Sequence, residues 1–204
     1  MLFRLPSAAN SADGPEHDRS EHSGGAQRVR DTVRSFRSSE RLDVVVQKLN
    51  PVLNGIGSDT TIGVLKRLSV YESIARCRAV VLAIGINDLA RRSDQEIVEN
   101  YKEIISAIPS NVAVVFSAIL PVDERADEKL LGYNRRIREI NEAARQFCFS
   151  SSRCRFINSG TELTDSSGNL APEYHAGDGV HLNVKGYAVW IGNLRAGIDA
   201  VHRP

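Results

Sequence analysis

The stretch Ala79-Val80-Val81-Leu82-Ala83-Ile84-Gly85 constrains the fold more than any other part of the chain. It is an unbroken apolar run, and a strand that is apolar at every position has no face to give to solvent. Such a strand is expected inside a parallel sheet whose two faces are both covered by helices. The run ends abruptly in Gly85-Ile86-Asn87-Asp88. In an open α/β sheet, ligands bind just outside the carboxyl ends of the strands.

The remaining sequence alternates in keeping with that sheet. A helical pattern starts at Arg28, with Val29, Val33 and Phe36 on one face. Leu42–Val46 reads as a strand, although Leu42, Val45, Val46 and Leu49 also fit a helix face. Residues 52–57 form a short strand ending in glycines, and 61–73 a helix capped by Thr60 or Thr61. An amphipathic helix over 94–108 turns Ile97, Tyr101, Ile104 and Ile105 inward. Residues 111–120 are the next apolar strand, stopped by Pro121. A long helix over 127–149 buries Leu130, Leu131, Ile137 and Ile140. A short strand over 155–158, a long loop over 160–178 and a last helix over 184–201 complete the pattern. Residues 1–27 read as a disordered arm, because 6–26 are rich in Ser, Ala, Gly, Asp and His without an apolar period. The domain proper is expected over 28–204.

The last forty residues contain Asp178-Gly179-Val180-His181. An Asp three residues before a His can set a carboxylate on the imidazole, which fixes its tautomer and stabilises the imidazolium formed when the other nitrogen takes a proton. Singly, these residues have plain structural readings: Asp178 and His181 closing a loop, Asn87 forming a turn. Taken together, Gly85-Ile86-Asn87-Asp88 and Asp178-Gly179-Val180-His181, in that order, resemble the Gly-x-Asn-Asp and Asp-x-x-His blocks of the SGNH (GDSL-type) hydrolases. Asn54 to Thr61, followed by Leu65 and Arg67-Leu68, is similar to that family's oxyanion-glycine block and the helix after it.

The resemblance implies a flavodoxin-like three-layer α/β/α sandwich with a parallel sheet, and hydrolysis of a small acyl or acetyl ester without metal or cofactor. It implies His181 as the base and later the acid for the leaving group, with Asp178 orienting it. Asn87 would donate its side-chain amide to the oxyanion. Gly85 and Gly57 would serve the supporting turns, and Asp88 would cap a turn. The oxyanion-glycine position falls on Ser58, whose backbone N–H can serve, although a positive φ there would suit glycine better. As a substitute nucleophile, Ser58 would act from the oxyanion side of the site.

Gly-Asp-Ser, which carries the family's nucleophile, occurs nowhere in the chain. If Leu42–Val46 is the first strand, only the five residues Gln47–Pro51 separate it from the next. A parallel crossover needs about ten to twelve. Either 42–49 continues the helix from Arg28, or the serine turn and its helix are missing between Val46 and Gln47, which is the reading preferred here. Two other serines are candidates. Ser7 follows the apolar Met1–Leu5, a possible replacement first strand. Ser20 stands in Asp18-Arg19-Ser20. Without its serine, such a site keeps only a small part of its catalysis. The alternative function is therefore a degenerate domain that at most binds a ligand.

Composition excludes several other classes. The net charge of +1, from 26 basic and 25 acidic residues, gives no footprint for nucleic acid or an anionic membrane. No apolar run approaches a membrane span, and the N-terminus lacks a signal-like stretch, so a cytoplasmic location is expected. No Gly-x-Gly-x-x-Gly or phosphate loop follows a strand. His175, six residues before His181, suggests a metal pair but reads better as a solvated loop histidine. Cys77, Cys148 and Cys154 lack metal-ligand spacing. Cys148 and Cys154 would be able to meet in an exported protein, and otherwise read as reduced thiols.

Overall fold

Side-chain alternation along the central strands sorts the interior into two cores. The computed structural model describes residues 2–6, 52–53, 56–70 and 72–201. Its strands are β1 (Leu2–Pro6), β2 (Val52–Leu53), β3 (Cys77–Leu82), β4 (Ala113–Ser117) and β5 (Cys154–Ile157). Its helices are α1 (Thr61–Leu68), α2 (Asp94–Ala107), α3 (Tyr133–Phe149), α4 (Gly160–Leu163) and α5 (Val184–Val201). Val80, Leu82, Val114 and Phe116 face one side and pack with Val64 of α1, Ile97, Tyr101 and Ile104 of α2, and Ile137 and Ile140 of α3. Ala79, Val81 and Val115 face the other side, against Leu163 of α4 and Trp190, Leu194 and Ile198 of α5. The period of two along each strand thus feeds both helical layers, and the architecture is a three-layer α/β/α sandwich.

The sheet order is β2-β1-β3-β4-β5. β3, β4 and β5 are parallel, with Val80 beside Val114 and Phe116 beside Phe156. These three form the expected parallel sheet; β1 joins it beside β3 and is antiparallel to both of its neighbours, β2 and β3. Leu2 lies beside Leu82 and Pro6 beside Cys77. The arm expected over 1–27 therefore begins with a strand inside the sheet. Residues 7–27, the helical pattern from Arg28 and the strand-like Leu42–Val46 lie outside the described residues.

Local chemistry sets most element boundaries. Thr60 caps α1, accepting from the Gly63 N–H, and α1 ends at Leu68, short of the expected Ser73. Ser93 and Glu96 form a reciprocal capping box on α2. The long helix expected from Asp127 starts only at Tyr133. A 3₁₀ turn over Glu128–Leu130 and a left-handed Gly132 precede it, and Leu131, expected to be buried, is 64% exposed. α5 spans the expected residues. No helix among the described residues is long and apolar enough to cross a membrane.

Cys148, at the end of α3, and Cys154, at the start of β5, form a disulfide, with Cα atoms 5.0 Å apart. This corrects the expectation of two reduced thiols. The turn between the two elements brings the cysteines together independently of any export signal. Cys77 is buried and takes no part in this bridge.

Candidate active site

β2, β3 and β4 all deliver their following turns to the same edge of the sheet, because β2 and β4 are both parallel to β3. The turn after β3 is a tight one. Gly85 has φ +130°, and a Cβ there would sit 2.1 Å from the Tyr101 hydroxyl and 2.7 Å from Ile119 Cδ1. Only glycine fits, on both conformational and steric grounds. The Tyr101 hydroxyl donates to the Ile84 carbonyl at 2.8 Å, which fixes the strand end. Burial, and secondarily the charge of Asp88, pushes the Tyr101 phenol well above its ordinary range, so it stays a neutral donor.

Asn87 and Asp88 then diverge. Asn87 Nδ2 donates to the Asp59 carbonyl at 2.9 Å. That bond uses one amide hydrogen and leaves the other for a ligand. Asp88 is fully buried and accepts from the backbone N–H and hydroxyl of Thr61 and from Arg92. Its carboxylate holds the first residue of α1, in a different part of the chain, as well as its own turn. Arg136 of α3 braces the same segment, donating to the carbonyls of Leu89 and Arg92 and to Asp94.

Ser58 is exposed and has φ +58°, the sole positive φ at a non-glycine residue among those described. The left-handed conformation that glycine would adopt is present, and serine adopts it. Gly57 beside it has open space around its Cβ position and no positive φ. Among the described residues nothing accepts the Ser58 N–H.

The third turn reaches the same edge from the α5 side. The Asp123 N–H, beyond the end of β4, donates to the Gly179 carbonyl at 2.8 Å. Val180 packs against the same core as Ile84 and Ile86. His181 Nδ1 is 2.5 Å from Asp178 Oδ2, while Asp178 Oδ1 accepts the N–H groups of Val180 and His181, each at 2.9 Å. Burial pushes the Asp178 carboxyl up, but the Val180 N–H, the His181 ring and the His181 N–H outweigh it and hold the group down at about 2. Asp178 is therefore an anion at any working pH. Its partner ring is 76% exposed and open to a substrate. Asn183 secures the turn behind the pair. Its Oδ1 accepts from Lys185 and Gly186 at the start of α5, and its Nδ2 donates to the Glu173 and His175 carbonyls.

His175 is not solvated. Its side chain is 8% exposed. Its ring faces the N–H groups of Gly177 and Gly179 and the Asp123 carboxylate, whereas His181 faces Asp178, so the two do not form a metal pair. The roles of His175, Asp123 and Arg136 were not visible in the sequence, which places them in no motif. Of the serine candidates, Ser7 and Ser20 lie outside the described residues. Pro6, one peptide before Ser7, stands at the Cys77 end of β3, at the opposite edge from Gly85.

An α/β/α sandwich with an Asp-paired, solvent-open histidine and a backbone-anchored asparagine at one sheet edge has the layout of a hydrolase. The chain belongs to the GDSL-like lipase/acylhydrolase family, whose profile matches residues 14–189. Among solved structures it is similar to a protein from Streptococcus pneumonia provisionally assigned as a platelet activating factor. That pair shares 26% identity over 74% of this chain and 72% of the other, with a TM-score of 0.65. It also resembles a GDSL-like lipase from Bacteroides thetaiotaomicron (17% identity, 84% and 83% covered, TM-score 0.71). A third relative in fold is an acetyl-xylooligosaccharide esterase from Geobacillus, as an arginine-to-alanine mutant (18% identity, 86% and 81% covered, TM-score 0.61). No curated protein matches the chain.

Proposed function

We propose that this protein hydrolyses a small acyl or acetyl ester, with His181 as general base and then acid, Asp178 as its orienting anion, and Asn87 Nδ2 and the Ser58 N–H as oxyanion donors. The observation that carries this reading is the 2.5 Å contact between His181 Nδ1 and Asp178 Oδ2, on a ring open to solvent. A carboxylate kept ionised on Nδ1 leaves Nε2 as the basic nitrogen, the arrangement needed to take a proton from a nucleophilic hydroxyl. Each oxyanion donor of this kind supplies roughly 3–4 kcal/mol of transition-state stabilisation. Membership of an acylhydrolase family and fold likeness to an esterase support ester substrates.

The nucleophile is the open element. The family match takes in Ser20 and leaves out Ser7, which favours Asp18-Arg19-Ser20 as the remnant of the serine block. The second reading, a domain that binds an ester or carbohydrate without cleaving it, is favoured by the reversed direction of β1 in the sheet. Labelling of the full chain with a fluorophosphonate serine probe, mapped by mass spectrometry beside His181→Ala, separates the two. A His181-dependent adduct on one serine is the expected result. Folded protein that takes no adduct and turns over no aryl ester would establish the non-hydrolytic reading. In an active protein, Asn87→Ala should lower kcat more than it raises KM.

A further inference from the structure

We infer that His175 is a positioning residue for the Asp178–His181 pair, working as a neutral hydrogen-bond acceptor inside the turn that carries Asp178. Its Nδ1 accepts the Gly177 N–H at 3.0 Å and the Gly179 N–H at 3.2 Å, the two residues that bracket Asp178. Two backbone donors on one ring nitrogen require that nitrogen to carry no hydrogen, which assigns the Nε2–H tautomer. Both glycines have positive φ, at +104° and +74°. The backbone is thus folded around the imidazole, and the Asp178 side chain is directed away from it toward His181.

The far side of the ring is equally enclosed. Nε2 is buried without a hydrogen-bond partner and lies 3.5 Å from Asp123 Oδ2. Asp123 is otherwise engaged: its Oδ1 accepts from the Nε and backbone N–H of Arg125, and Arg125 continues to Asp165. The Asp123 N–H also donates to the Gly179 carbonyl, and a Cβ on Gly179 would lie 2.7 Å from Asp123 O and from Ala126 Cβ. The turn 177–179 is therefore held between His175 and the segment after β4. A buried polar atom left without a good partner costs stability. Here it comes with a ring placed so that Nδ1 meets both glycine N–H groups.

The effect on turnover rests on the reading of His181 as a base; the effect on the His181 ring does not. The test is long-range ¹H–¹⁵N NMR of the full chain, with aryl-ester kinetics beside it. The wild type should show His175 as the Nε2–H tautomer and His181 as the Nδ1–H tautomer with a downfield proton. His175→Leu should lose that His181 proton and, in active protein, kcat by about 10- to 100-fold at nearly constant KM. His175→Asn, whose amide oxygen falls near the place of Nδ1, should restore both. His175→Gln, whose amide falls near Nε2, should not, and the Asn–Gln comparison decides the matter if the leucine variant does not fold. An unchanged His181 resonance in His175→Leu, equal behaviour of Asn and Gln, or an Nδ1–H tautomer for His175 would each overturn the inference. Absence of turnover in the wild type with these NMR effects intact would count against ester hydrolysis alone.

Discussion

The Asp88 carboxylate and Thr61, twenty-seven residues apart, share three hydrogen bonds: from the Thr61 N–H at 3.3 and 3.0 Å and from its hydroxyl at 2.7 Å. Asn100 of α2 donates to the same hydroxyl at 2.7 Å. The turn that presents Asn87 and the helix that follows Ser58 are thereby joined through one buried carboxyl group. The two proposed oxyanion donors, Asn87 and Ser58, are set relative to each other by this joint and by the Asn87–Asp59 bond.

Asp88→Ala should therefore be among the most damaging changes in the protein. It leaves the Thr61 N–H and the Arg92 guanidinium without their buried acceptor. Breaking a buried charge pair in this way costs about 3–5 kcal/mol. Urea unfolding of the variant beside wild type measures it. A loss under about 1 kcal/mol would mean that water replaces the carboxylate and that the joint is not structural.

Ser58→Gly separates two roles for one residue. A non-glycine residue in the left-handed region carries about 1–2 kcal/mol of strain, partly offset by the greater entropy that glycine loses on folding. The glycine variant should be more stable by about 0.5–1 kcal/mol. It keeps the backbone N–H, so an amide role predicts esterase activity close to wild type. Abolished activity in a stabilised variant would make the Ser58 hydroxyl the nucleophile.

The sequence made the three-layer architecture legible because Ala79–Gly85 and Asn111–Leu120 are apolar on both faces, and the helices between them are amphipathic. It offered Asp178, His181 and Asn87 as candidates through the resemblance, because the blocks that carry them, Asp178 to His181 and Gly85 to Asp88, are each local in the chain. The direction of β1 was not legible, because side chains alternate between the two faces of a strand whichever way it runs in the sheet. The burial of His175 was hidden for another reason. Its surroundings are Asp123, more than fifty residues upstream, and two glycine N–H groups, whose engagement no side-chain pattern records.

The Cys148–Cys154 bridge should be present in the folded protein and worth about 2 kcal/mol, the loop-closure value for so short a ring. Alkylation in denaturant should tag one thiol, Cys77, before reduction and all three cysteines after it. Reduced protein, or Cys148→Ser paired with Cys154→Ser, should unfold at lower urea with the fold otherwise kept. The bridge ties the end of α3 to the start of β5, far along the chain from Asp178 and His181, so kcat should not move with it. Three thiols tagged without reduction would remove the bridge.

The Asp178 carboxyl gives a pH signature of its own, distinct from that of the histidine it contacts. Its folded value of about 2 lies below the ordinary 3.8. A group depressed in this way stabilises the fold fully above its unfolded value, and that contribution is lost as pH falls through the folded value. Wild type should lose stability relative to Asp178→Asn as pH drops from about 4 to 2, as thermal unfolding across that range would record. The same depression means that Asp178 stays charged near neutral pH. Any acid limb in kcat/KM near neutral pH then does not report protonation of this carboxylate. Asp178→Asn should lower kcat by about 10⁴-fold, because an amide can stabilise the wrong tautomer of His181 but not its imidazolium. An Asp178→Asn variant that retains wild-type kcat would separate the 2.5 Å contact from catalysis and leave it a loop closure.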